Sequence, residues 1–107
     1  MAEIKDKKLV VVQLSGGNDA LNTVIPYNDE NYYDNRPKVH IDPEKALKLD
    51  SEFAMNPSMT AIKRLWDEGK VAVLNGVGYP DPNRSHFRSM DIWHTAEPTK
   101  VLTEGWI

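Results

Sequence analysis

Two short Val-rich runs, far apart in the chain, restrict the fold more than any other feature: Leu9-Val10-Val11-Val12-Gln13-Leu14 and Val71-Ala72-Val73-Leu74. Each follows charged residues and precedes a loop-forming stretch, and each reads as a strand buried on both faces, the kind found in parallel sheets. Between them, Pro57 to Glu68 places Met59, Ile62, Leu65 and Trp66 at the spacing of a helix with one buried face, and Gly69 is a suitable stop. Strand, long connection, helix, strand is a right-handed crossover between parallel strands. The expected class is therefore α/β, a partial parallel sheet with crossover helices. Two or three strands cannot cover both faces of such a sheet. Residues 1–107 are thus expected to form a single, incomplete α/β domain that is partnered by the remainder of its own domain or by self-association.

The rest of the chain is read around that frame. Asp29 to Asn35 can form a short helix capped by Asp29 and stopped by Arg36-Pro37. Val39-His40-Ile41 reads as extended, and Asp42 to Leu47 as a capped turn with Pro43 at its first position. This middle section reads mostly as connection. After the second run, Gly76 to Asn83 is a Gly/Pro-rich loop. A helix is expected from about Ser85 to Thr95, with Phe87, Met90 and either Trp93 or His94 turned inward.

Composition narrows the function classes. A net charge of -3 with scattered basic residues argues against nucleic acid as a partner, since that mode of binding replaces phosphate counterions with Lys and Arg. The absence of cysteine excludes disulfides, thiolate metal sites and cysteine nucleophiles. No apolar run is long enough to span a bilayer, so an integral membrane protein is not expected. Met1-Ala2-Glu3-Ile4-Lys5 lacks the basic and apolar regions of a secretory leader, which leaves a cytoplasmic protein or one whose leader has been removed.

In open α/β sheets, ligands gather beyond the carboxyl ends of the strands. The loop after the first run carries Ser15-Gly16-Gly17-Asn18-Asp19, and the loop after the second leads into Asn83-Arg84-Ser85-His86. If the runs are neighbours, Asp19 and Ser85 converge. A serine at a helix start sits among unpaired amides at the positive end of the dipole, which suits a phosphate or sulfate group. The same surroundings would stabilise the charge that develops if its hydroxyl attacked such an ester. Asp19 could hold a divalent cation that polarises the ester. Gly17, Asn18, Asn83, Arg84 and His86 are the candidate anion or substrate contacts.

Plainer roles stand beside these. Ser85 serves equally well as an ordinary N-cap, and Asn18 and Asp19 as turn formers. Gly16-Gly17 has neither dinucleotide nor phosphate-loop spacing. His40, His86 and His94 lack the pairing of a helical zinc site. No Gly-x-Ser-x-Gly elbow is present, which disfavours a Ser-His-Asp hydrolase.

The stretches Leu9 to Tyr27, Met55 to Met59, Val71 to Pro80, Asn83 to Trp93 and Gly105-Trp106 together resemble, in the same order, the N-terminal part of a bacterial family known as domain of unknown function 1501. That family is distantly similar to the alkaline phosphatase and sulfatase superfamily, an α/β fold whose two-metal site cleaves phosphate or sulfate esters. The resemblance implies an alkaline-phosphatase-like N-terminal portion with Asp19 as a metal ligand and Ser85 as nucleophile. Zinc, manganese, calcium or magnesium would be the cofactor and a small-molecule ester the substrate. Many members carry a twin-arginine export leader, which implies a periplasmic or cell-surface location. The superfamily's later Asp and His ligands have no counterpart before Ile107, so this chain alone is expected to lack a complete bimetal site. The alternatives are a non-catalytic binding or assembly module on the same fold, or an inactive truncated fragment.

Overall fold

The middle of the chain, which reads as connection, holds the sheet. In the computed structural model, which describes residues 6–15 and 18–106, the chain divides into two compact units. One is the mid-chain unit Asp19–Gly78; the other joins the described residues up to Asn18 with those from Tyr79 onward. Elements α1 (Ala20–Thr23), β1 (Val24–Ile25), α2 (Glu30–Asp34), β2 (Leu47–Lys48), β3 (Ala54–Met55) and α3 (Thr60–Asp67) belong to the mid-chain unit, and α4 (His86–Thr95) to the end-segment unit. Among the described residues, no helix is long and apolar enough to cross a membrane.

The class is mixed α and β, but the sheet is antiparallel. Its order is β1-β3-β2, with Val24 opposite Met55, Ile25 opposite Ala54, and Leu47 and Lys48 opposite Met55 and Ala54. The hairpin between β2 and β3 closes through Asp50, whose carboxylate accepts from the amides of Glu52 (2.8 Å) and Phe53 (2.7 Å). Those amides hold the Asp50 carboxyl below its ordinary range, Phe53 contributing most. The core gathers Ile25, Tyr32, Ala46 and Ala54, with Tyr27, Tyr33 and Ile41 packed against it.

Among the described residues, the two Val-rich runs do not form the expected parallel sheet. Neither Leu9–Leu14 nor Val71–Leu74 enters a ladder, and the residues of the first run are exposed, Val10 at 81%. A strand buried on both faces needs neighbours for its backbone edges and cover for both surfaces. Among the described residues, no strand pairs with either run; the first is exposed throughout, and in the second Val71 and Val73 are half-buried.

The caps and stops expected of the helices are present, although α3 begins at Thr60, not Pro57, and of its expected inward face Met59, Leu65 and Trp66 are only half-buried and Ile62 is exposed. Asp29 caps α2 through its carboxylate, which accepts from the Asn31 amide at 2.9 Å. Gly69, at φ 70, ends α3 in a Schellman arrangement: its amide donates to Trp66 O at 2.8 Å and the Lys70 amide donates to Leu65 O at 2.9 Å. Asp42 forms the expected capped turn, its carboxylate accepting from the Glu44 amide. Ser85 caps α4. Of the residues expected to turn inward on α4, Met90 and His94 are half-buried, whereas Phe87 is 88% exposed and Trp93 is exposed too; the buried residue is Ile92. Arg88, Ile92 and Thr95 lie at i, i+4, i+7, the face on which Ile92 is buried and the other two half-buried.

Candidate functional site

Ser85 stands where the loop from Tyr79 turns into α4. Its backbone is extended (φ -73, ψ 123), and its Oγ accepts from the Arg88 amide at 3.4 Å. The approach is held by Asn83, whose Oδ1 accepts from the Ser85 amide at 2.8 Å and whose carbonyl accepts from Ser89 Oγ at 2.7 Å. The Asn83 amide donates in turn to Tyr79 Oη at 3.0 Å. Polar side chains thus brace the loop on both sides of the hydroxyl.

Four of the expected contacts gather here. Asn18, Asn83, Arg84 and His86 line one open cleft of about 380 Å³ with Leu14, Ser89 and Met90; Ser85, between Arg84 and His86 in the chain, is exposed and is not one of the residues that line it. The two amides, the guanidinium and the imidazole supply donors to an anionic group, and the N-terminus of the ten-residue α4 adds its dipole. Gly17 lies outside the described residues.

Asp19 belongs to the other unit, and neither unit by itself contains both Asp19 and Ser85. It precedes α1, yet its carboxylate does not cap that helix. Instead, Arg36 Nη1 donates to Asp19 Oδ2 at 2.9 Å and Nη2 donates to Oδ1 at 2.8 Å. This guanidinium fork holds the Asp19 carboxyl below its ordinary value. The turn itself is made by the Asp19 carbonyl, which accepts from the amides of Asn22 and Thr23 and from Thr23 Oγ1.

A divalent metal of the kind the resemblance implies would meet, at Asp19, a carboxylate that is already paired. Both carboxylate oxygens of Asp19 already face a fixed positive charge, and no group of three or more His, Asp or Glu among the described residues could hold an ion. Arg36 is the partner that sequence reasoning missed. It lies 17 residues beyond Asp19, a separation with no local periodicity to mark it.

A second cleft of the end-segment unit, about 310 Å³, is lined by Val11, Val12, Gln13, Leu14, Met90 and Trp93. Gln13 ties the first run to α4, with Nε2 directed at Met90 Sδ at 3.8 Å and Oε1 at 3.2 Å from His94 Nε2. Comparisons with protein families, curated proteins and solved structures find no match.

Proposed function

We propose that this chain contributes the nucleophile and the anion cradle of a phosphate- or sulfate-ester hydrolase. The observation that carries this reading is Ser85 at the N-terminus of α4, exposed, with Asn83, Arg84 and His86 around it. Ser85 Oγ would lose its proton to solvent as it bonds to the phosphorus or sulfur, the ester oxygen would leave with its electron pair and take a proton from water, and a second water would then displace Ser85 Oγ, restoring its hydroxyl and releasing the inorganic anion. The charge on the equatorial oxygens would be met by Arg84 and the amides that open α4. The resemblance described from the sequence covers these same residues and adds the reaction class; the alkaline-phosphatase-like sheet belongs to this proposal as well. The test is hydrolysis of 4-nitrophenyl phosphate and 4-nitrophenyl sulfate by a longer polypeptide that includes this chain. Ser85→Ala is expected to lower the rate by at least about 100-fold, as loss of a nucleophile does; an unchanged rate would overturn the proposal.

A second reading, a non-catalytic assembly module that self-associates, is supported by a different observation. Leu9, Val10, Val12 and Leu14 stand exposed along one continuous run whose backbone has no ladder partner among the described residues. Such a run is a template for pairing with another strand. In an antiparallel pair of two copies centred between Val11 and Val12, Lys8 would face Ser15, whereas an in-register parallel pair would stack Lys7 and Lys8 on their own copies.

A further inference from the structure

We infer that Asp19 and Arg36 form a structural latch that fastens the Arg36–Ile41 connection onto α1, and that Asp19 is a member of this latch rather than a ligand for a divalent cation. The inference is independent of the ester-hydrolase reading, which rests on Ser85.

The latch has two layers. In the outer one, the two-pronged pair between Arg36 and Asp19 spans 2.8 and 2.9 Å, with side chains 21% and 45% exposed. In the inner one, Asn22 on α1 receives both sides of the connection. Its Oδ1 accepts from Tyr32 Oη at 2.7 Å and from Arg36 Nη1 at 3.3 Å, and its Nδ2 donates to the Val39 carbonyl at 2.8 Å. Tyr32 Oη also accepts from the Ile41 amide at 2.7 Å, and the guanidinium stands 5.9 Å from the centre of the Tyr32 ring. Within the connection, the Arg36 carbonyl accepts from the amides of Val39 and His40 and lies 2.9 Å from His40 Nδ1.

Tyr32 is a buried member of the core cluster, so the network anchors a surface ion pair to the packed interior. An isolated exposed pair would contribute little, but a forked one whose members share partners is held in a single geometry. A cation approaching Asp19 would have to displace a guanidinium that is also engaged with Asn22. Asp19 belongs to no group of three or more His, Asp or Glu among the described residues that could compensate.

The test is an amide NMR titration of the chain with excess Mn2+, run beside thermal melts of Asp19→Asn, Arg36→Met, Arg36→Lys and the Asp19→Asn/Arg36→Met pair. The latch predicts no selective paramagnetic broadening at Leu21 or Asn22. It predicts a fall in Tm of about 4 °C or more for Asp19→Asn and Arg36→Met, little further loss in the double variant, and an intermediate loss for Arg36→Lys, which keeps the charge but not the fork. Saturable broadening at Leu21 and Asn22 that Asp19→Asn abolishes would overturn the inference, and so would melts unchanged by both Arg36 variants. The Mn2+ titration of the unaltered chain decides the metal question even if a variant does not fold.

Discussion

The two units of this protein bury their apolar residues to different extents. The mid-chain unit buries Ile25, Tyr32, Ala46, Ala54 and Met55 with strands of two residues each. The end-segment unit contains one of two equally long apolar runs, Leu9–Val12, and among its described residues buries the side chain of Ile92 and leaves Leu9, Val10, Val12, Leu14, Phe87, Val101 and Trp106 exposed; the other run, Val71–Leu74, lies in the mid-chain unit, with Val71 and Val73 half-buried and Leu74 exposed. Hydrophobicity of a segment therefore does not decide its burial here; the presence of complementary surfaces does. Where Tyr32 Oη, Asn22 and the hairpin satisfy the backbone and polar groups, small residues such as Ala46 and Ala54 are enough to close a core.

The contrast is broken most directly in the core. Ile25→Ala removes a side chain that is fully buried beneath the sheet's pairing with Ala54, and is expected to cost about 2–4 kcal/mol in urea denaturation. A loss under about 1 kcal/mol would mean that the mid-chain unit is no better packed than the other.

A smaller effect is expected at the far end of α4. The Trp106 amide donates to His94 O at 2.9 Å and its Nε1 to Trp93 O at 2.6 Å, while its ring meets Trp93 edge-on at 5.5 Å. These bonds satisfy carbonyls that a helix terminus leaves open. They require Gly105, because a Cβ there would lie 2.0 Å from the His94 carbonyl oxygen. Gly105→Ala should therefore release Trp106, at a cost of about 1–3 kcal/mol, and diminish the near-ultraviolet circular dichroism of the tryptophan pair. Retention of that signal would show that the end-segment unit does not depend on this clasp.

The smallest change in stability belongs to the exposed run. Val11→Lys is expected to alter folding by no more than about 0.5 kcal/mol, as at other surface positions. If the chain self-associates through this edge, sedimentation velocity will show the unaltered protein shifting to larger species with concentration and the Val11→Lys protein remaining monomeric. A concentration-independent monomer in both cases would remove the assembly reading and leave the open run as a feature of this unit alone.

Local signals were legible in the sequence wherever one side chain acts on nearby backbone. Asp29 capping α2, Gly69 closing α3, Asp42 closing its turn and Ser85 capping α4 all operate within a few residues, and each was readable from residue type and spacing. The sheet was not legible. Strands of two residues are too short to carry an alternating pattern, and β1 and β3 meet across about thirty positions. The candidate cleft was partly legible: Asn83, Arg84, Ser85 and His86 are consecutive, so their proximity follows from the chain itself. The attachment of Asp19 to Arg36 depends on how α2 and the connection after it pack on α1, and nothing in local periodicity encodes that.

By itself the sequence determined the caps, the stops and the polar turn at the start of α4, because these arise from short-range geometry between a side chain and its own backbone. Tertiary structure alone decided which apolar residues are buried, that the sheet is antiparallel, and that the Asp19 carboxylate faces a guanidinium. Burial and charge pairing are properties of surfaces brought together from distant positions, and the energy that selects them exists only once those surfaces meet.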